Sequence, residues 1–224
     1  MQSISSKKIL LLALFIALGF LAMQVPFSQL VGAKNLKFSL FDFYGPMIGA
    51  FLGSLPGIIT VFFMQLGNWA FHGFHTDIGT LLRFIPVLFA VLYFARHSKW
   101  ILAVPVIAMI GFWAHPEGRQ AWYFALYWTI PLFMYFFREK FLFARALGAT
   151  FTQHSVGGVL WVWAFNMKAS IWIGLIPIVW KERMLMAAGI TLTYILFNYL
   201  LSFFEKKIHI ALPFISIHPK YTVK

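Results

Sequence analysis

Asn68, His72 and His75 stand at i, i+4 and i+7, so they share one helical face if the helix runs that far. A few hydrogen-bonding groups set among aromatic rings is the makeup of a small-molecule pocket. In such a pocket Asn68, His72 and Asn166 supply hydrogen bonds and Arg83 neutralises an acidic group of the ligand. One of Trp161 and Trp163 stacks on a ring, because residues two apart on a helix do not share a face. His154, beside Gln153, either touches the ligand from below or hydrogen-bonds a neighbouring helix, and the interhelical bond is the favoured reading. Each residue also has a plainer role. Trp, Tyr, His and Asn gather where apolar helices meet water, Arg83 can snorkel or pair with Asp77 or Asp42, and Gly157-Gly158 fits close helix packing.

Other chemistry is poorly supplied. His72-x-x-His75-x-Asp77 has ligand types for a divalent metal, but Gly73 interrupts the spacing, and no metal is expected. His115 and Glu117 read as solvated flanks of Pro116. There is no His-Glu-x-x-His, no Gly-x-Ser-x-Gly and no P-loop. With 6 acidic residues, paired carboxylates for acid–base work are scarce. The expectation is therefore not an enzyme, with no catalytic residues and no cofactor, and any uphill transport must draw on ions or on partner proteins.

The elements that hold these residues are apolar. Of 224 residues 61% are hydrophobic and 11% charged, more apolar surface than a soluble domain of this size can hide. The apolar runs are continuous rather than alternating, which points to an all-α polytopic membrane protein and away from a β-barrel. Up to eight segments are expected: Ile9–Phe27, Leu40–Ser54, Pro56–Phe71, Ile78–Ala95, Trp100–Trp113, Ala121–Phe137, Ala146–Asn166 and Met184–Phe204. Leu40–Ser54 and Trp100–Trp113 are short for a bilayer core of about 30 Å, so the count is six to eight. Ile171–Trp180 is too short to span, and it is expected at the outer interface, with Pro177 breaking it before the last helix. No polar linker divides the chain, so residues 1–224 form a single integral membrane domain ending in a cytoplasmic tail, 205–224.

The net charge of +12 reflects loop lysines and arginines acting as topology markers, and nucleic acid is not an expected partner. With the N-terminus inside, Lys7, Lys8, Arg96, Lys99, Arg138, Lys140, Arg145, Lys206, Lys207, Lys220 and Lys224 fall on the inner side. Lys34, Lys37, Arg119, Lys168, Lys181 and Arg183 fall outside. The excess places both termini in the cytoplasm of a plasma-membrane protein. In this topology Asp42, Tyr44, Asn68, His72, Arg83, Trp161, Asn166 and Glu182 gather toward the outer side.

Ala13 and Ala17 lie four apart on the first helix, one turn inside Lys7-Lys8, and such small residues let another helix approach closely in lipid. After a short loop comes Lys37-Phe-Ser-Leu-Phe-Asp-Phe-Tyr-Gly-Pro-Met-Ile-Gly-Ala-Phe-Leu-Gly53, and further on Leu175-Ile-Pro-Ile-Val-Trp-Lys-Glu-Arg-Met184. In this order the motifs resemble the S components, the substrate-binding membrane subunits, of energy-coupling factor (ECF) vitamin transporters. The resemblance covers about residues 7–99 and 146–204. It implies a six-helix membrane fold and a vitamin or similar small molecule captured from outside. It also implies partners, a transmembrane coupling protein and cytoplasmic ATPases. Ala13 and Ala17 would face the coupling protein, and the loop Ser28–Phe38 would act as a lid. The chain departs from the family at Trp100–Phe137, which reads as an inserted helical hairpin. The expected function is a membrane solute-binding subunit serving ATP-driven uptake. Its rivals are a scaffolding membrane protein without a ligand, a metal-dependent membrane enzyme built on His72, His75, Asp77 and Arg83, and a stand-alone ion-coupled transporter.

Overall fold

The computed structural model describes residues 6–29, 37–95, 98–209, 212 and 214–223. Helix α1 (Ser6–Met23) leads into an antiparallel hairpin, β1 (Pro26–Gln29) with β2 (Lys37–Ser39), and then into α2 (Phe41–Leu52) and α3 (Ser54–Phe71). Next come α4 (Ile78–Leu82) and α5 (Phe84–Ala95). A 3-10 turn, Lys99–Leu102, opens α6 (Ala103–Ala114), followed by α7 (Pro116–Gln120). A 3-10 stretch, Trp122–Thr129, runs into α8 (Ile130–Phe137). Two long helices follow, α9 (Leu142–Phe165) and α10 (Ala169–Lys207), and a last 3-10 turn covers Pro219–Tyr221. The result is an all-α helical bundle carrying one short β-hairpin.

Helix α9 is the axis of the bundle, packing against α5, α6, α8 and α10. Its sequence explains why: Ala146, Gly148, Ala149, Thr150, Thr152 and Ser155 are small and fully or nearly fully buried, so neighbours approach closely on several sides. Tyr93 from α5 lies against Gly148, and the Trp128 ring lies against Gly158, each where a Cβ would collide. The turn between α2 and α3 uses Gly53 at φ +90°, a backbone geometry that favours glycine. It folds Gly57 back onto the Cα of Gly49, so the two helices cross with no side chain between them. The 100–137 stretch joins the same core: Phe112 packs edge to face on Trp128 and on Trp172 of α10, and Phe124 edge to face on Trp128 and tilted against Trp172.

Among the described residues two stretches are long and apolar enough to cross a membrane, Ile78–Ala95 with mean hydropathy 2.0 and Ala169–Lys207 with 1.7. Ile9–Met23 and Lys99–Ala114 are apolar but shorter. Large apolar side chains cover much of the exterior, among them Trp100, Phe136, Leu10 and Phe71, each at least 70% exposed.

Several expected boundaries are corrected. The first helix stops at Met23 rather than Phe27, and Pro26 opens β1 instead. The 78–95 stretch is interrupted at Arg83, between α4 and α5. The main correction concerns Ile171–Trp180, which is no separate interfacial piece: α10 runs unbroken through Pro177 to Lys207. Proline removes one backbone donor and crowds the preceding turn, and a helix tolerates this where other groups satisfy the disturbed carbonyls. The Tyr127 hydroxyl donates to the Ile176 carbonyl at 3.0 Å, which ties the turn holding the proline to the 122–129 stretch, while the carbonyl that Pro177 deprives of its usual donor is that of Ile173, four residues earlier. Lys181, Glu182 and Arg183 therefore lie in mid-helix rather than in an outer loop, and Arg183 is 2% exposed. The tail also departs from a free extension. Ser216 N–H donates to the Phe51 carbonyl, His218 N–H to Asn198 Oδ1 and Val223 N–H to Ser202 Oγ, which ties it back along α2 and α10.

Candidate functional site

A cavity of about 990 Å³ opens between the hairpin, the start of α2, the end of α3, the α4–α5 break and the facing sides of α9 and α10. That is the upper end of the size range for small-molecule sites. Asn68, His72, Arg83, His154 and Trp161 all line it. Its aromatic wall is Phe38, Phe41, Trp69, Phe84, Trp161 and Trp172, and Gln24, Gln65 and His75 add polar groups.

The polar face of the cavity is set by bonds among its own residues. Asp42, 8% exposed, accepts from Ser39 N–H through Oδ2 and from Gln153 Nε2 through Oδ1, both at 3.0 Å. The Gln153 amide nitrogen is the atom turned to Asp42, which leaves its Oε1 as an acceptor. That Oε1 is buried without a protein partner. His154 Nδ1 accepts from the indole N–H of Trp128 at 3.0 Å. Indole only donates, so the imidazole is neutral with its proton on Nε2. Arg183 donates through Nη1 to Thr150 Oγ1 at 3.3 Å, keeps Glu182 at 3.8 Å through Nη2 and stacks on the Phe38 ring at 5.0 Å. Its Nε is the second buried polar atom of the cavity wall without a protein partner. A buried polar atom in that condition costs about 1–3 kcal/mol; of the three such atoms among the described residues two belong to this cavity's lining, the third being Arg138 Nη1, and each asks for a partner that the protein does not supply.

The hairpin is stitched over this end by side chains from three directions. Arg83 Nη2 donates to the Lys37 carbonyl, Ser28 hydrogen-bonds Glu182, and Phe38 lies under Arg183. The expected lid, Ser28–Phe38, falls largely outside the described residues between 30 and 36. Arg83 does not pair with Asp77. The Asp77 carboxylate caps α4, accepting the Thr80 hydroxyl at 2.6 Å and its amide at 2.9 Å, and the hydroxyl bond foremost holds the carboxyl below the ordinary carboxylate range.

The expected single face through Asn68, His72 and His75 does not form. Helix α3 ends at Phe71, and Gly73 and Phe74 at positive φ turn the chain away. All three residues still reach the cavity, Asn68 holding the Gln24 amide at 2.7 Å and His72 Nδ1 meeting the Asn68 carbonyl at 2.8 Å. Asn166 does not line the cavity. It is the exposed left-handed cap of α9, φ 46°. Of the two tryptophans, Trp161 lines the wall, while Trp163 donates to the Gly111 carbonyl at 2.9 Å and packs on His115. Among the described residues no group of three or more His, Cys, Asp or Glu is placed to hold a metal, so His72, His75 and Asp77 are not gathered as ligands. His115 and Glu117 are not simply solvated: His115 is 6% exposed, and Glu117 Oε2 accepts from Ala169 N–H at 2.7 Å, capping α10. Spacing missed the bonds from Gln153 to Asp42 and from Arg183 to Thr150, because each joins helices far apart in sequence. Ala13 and Ala17 are exposed on α1, on the side away from buried Phe15 and Gly19.

No family model matches the chain, and no solved structure matches it. Among curated proteins it is similar to an uncharacterized protein of Methanocaldococcus jannaschii, 26% identical over 204 residues that span 80% of this chain and 67% of that protein.

Proposed function

We propose that this protein is a membrane solute-binding subunit of the ECF S-component kind. It captures a vitamin or similar small molecule at the outer side of the plasma membrane and hands it to a separate module, a transmembrane coupling protein with cytoplasmic ATPases. The observation that carries the reading is the cavity, which draws Asn68, His72, Arg83, His154 and Trp161 to one place from helices far apart in sequence. The two long apolar stretches and the apolar exterior support a bilayer setting. The cavity touches α1 only at Met23 and Gln24. Exposed Ala13 and Ala17 lie roughly 9–15 Å further down that helix at about 1.5 Å per residue, which leaves them open for a partner helix while the ligand is held.

Two measurements test the proposal. Mass spectrometry of small molecules retained through detergent purification is expected to find a stoichiometric ligand, and replacing Asn68 and His72 together by Ala is expected to lower its affinity at least tenfold. Unchanged affinity in that double variant rejects the cavity as the site. Uptake by the isolated chain in liposomes without ATPases replaces the subunit reading with that of a stand-alone transporter.

A further inference from the structure

Given that the cavity is a ligand site, as proposed above, its own bonding determines what kind of ligand it takes. Three groups on its inner wall have their polarity fixed by partners behind them. Gln153 keeps a buried carbonyl oxygen without a partner, because its amide nitrogen is committed to Asp42. His154 presents Nε2–H, because Trp128 occupies Nδ1. Arg183 has Nε–H without a protein partner while Thr150 and Glu182 meet its other nitrogens. The groups are neighbours: Gln153 and His154 are consecutive on α9, and Thr150, which receives Arg183, lies one turn before them. They amount to two donors and one acceptor.

Formal charge narrows the class further. Lys37, Arg83 and Arg183 line the cavity together with Asp42, Asp77 and Glu182, so among the described residues its cations and carboxylates balance. An added ion would meet a lining of no net formal charge and would still lose its hydration. The remaining wall is aromatic, suited to the face of a flat ring.

We infer that the cavity selects an uncharged, planar nitrogen heterocycle that offers one N–H and at least two acceptors along an edge, as in a lactam, imide or ring carboxamide. Its ring lies among the tryptophans and its edge meets Gln153, His154 and Arg183. A site built around buried hydrogen-bonding groups rejects ligands that leave them unmatched far more strongly than an apolar pocket rejects a misfit of shape.

Matched pairs differing by one charge test this on the full chain in detergent, by thermal shift and calorimetric titration: uracil against orotate, and nicotinamide against nicotinate, with zwitterionic tryptophan as a further control. The expected result is that the uncharged member of at least one pair binds tenfold or more tighter than its carboxylate, and that replacing Asn68 and His72 together by Ala weakens it. Equal or tighter binding of the carboxylates or of tryptophan, lost in the same double variant, overturns the uncharged class while leaving ligand capture standing. Failure of every probe to bind also overturns the class, and ligand capture is then judged separately by the small molecules retained through purification. The wild-type ratios decide the matter even where a variant fails to fold.

Discussion

At the scale of single residues, the chain uses acceptor-only and donor-only groups to remove ambiguity from adaptable ones. Asp42 fixes an amide and Trp128 fixes an imidazole, and neither needs to touch a ligand to do so. Trp128→Phe keeps a ring against Gly158 but deletes the indole donor, so His154 is expected to lose its single tautomer. The nitrogen shifts of the labelled imidazole would move toward a mixture, with a stability loss of about 1 kcal/mol for one hydrogen bond. Asp42→Ala strands both the Ser39 N–H and the Gln153 amide nitrogen, and melting in detergent is expected to reveal a loss of about 1–3 kcal/mol. Polar residues inside an apolar chain are conspicuous, which is why Asn68, His72, Arg83, His154 and Trp161 were legible from sequence. What they bond to was not. Asp42 and Gln153 are separated by 111 positions, and no local pattern announces their contact.

The elements show where local signals win and where tertiary contacts overrule them. Pro26 and Gly53 act as their chemistry dictates, the one opening a strand and the other reversing the chain. Pro177 reads locally as a break and is not one: α10 continues through it, and the Tyr127 hydroxyl anchors the adjoining turn at the Ile176 carbonyl. Tyr127→Phe is expected to loosen α10 around 176–180, visible as faster amide exchange there with little change near Lys207. At the same helix's start, Glu117 performs the capping that Lys168 cannot. Glu117→Ala is expected to fray the first turn of α10 and cost about 1 kcal/mol, whereas Glu117→Gln keeps the acceptor and retains most of it. Both the cap and the prop come from residues 100–137, so that stretch is tied into the helix bearing Arg183 rather than appended to it.

Taken whole, the molecule separates two surfaces along α1, an open small-residue face and a cavity beyond its far end. If the first is a docking face, replacing Ala13 and Ala17 together by Leu abolishes co-purification with a coupling partner and leaves ligand affinity within about twofold, since neither side chain lines the cavity. Equal loss of both properties would show that the surfaces are not independent. That the chain forms an all-α helical bundle was legible from composition and apolar continuity, because a bundle requires little more than those. The merging of two expected pieces into a 39-residue α10 was not, since it depends on partners from three other elements. That helix, about 58 Å long at about 1.5 Å per residue, has a bearing on biosynthesis. On the membrane reading, Lys181-Glu182-Arg183 resists insertion, each such charge costing roughly 2.5–3.5 kcal/mol at mid-bilayer on insertion scales. The translocation machinery therefore accepts the apolar run from Met184 onward first. The preceding turns, Ala169 to Trp180, then join the nascent bundle through Glu117 and Tyr127, which meet Ala169 and Ile176. If the cavity is a ligand site, its completion is then a late maturation event, because its Arg183 wall comes into place only with these turns.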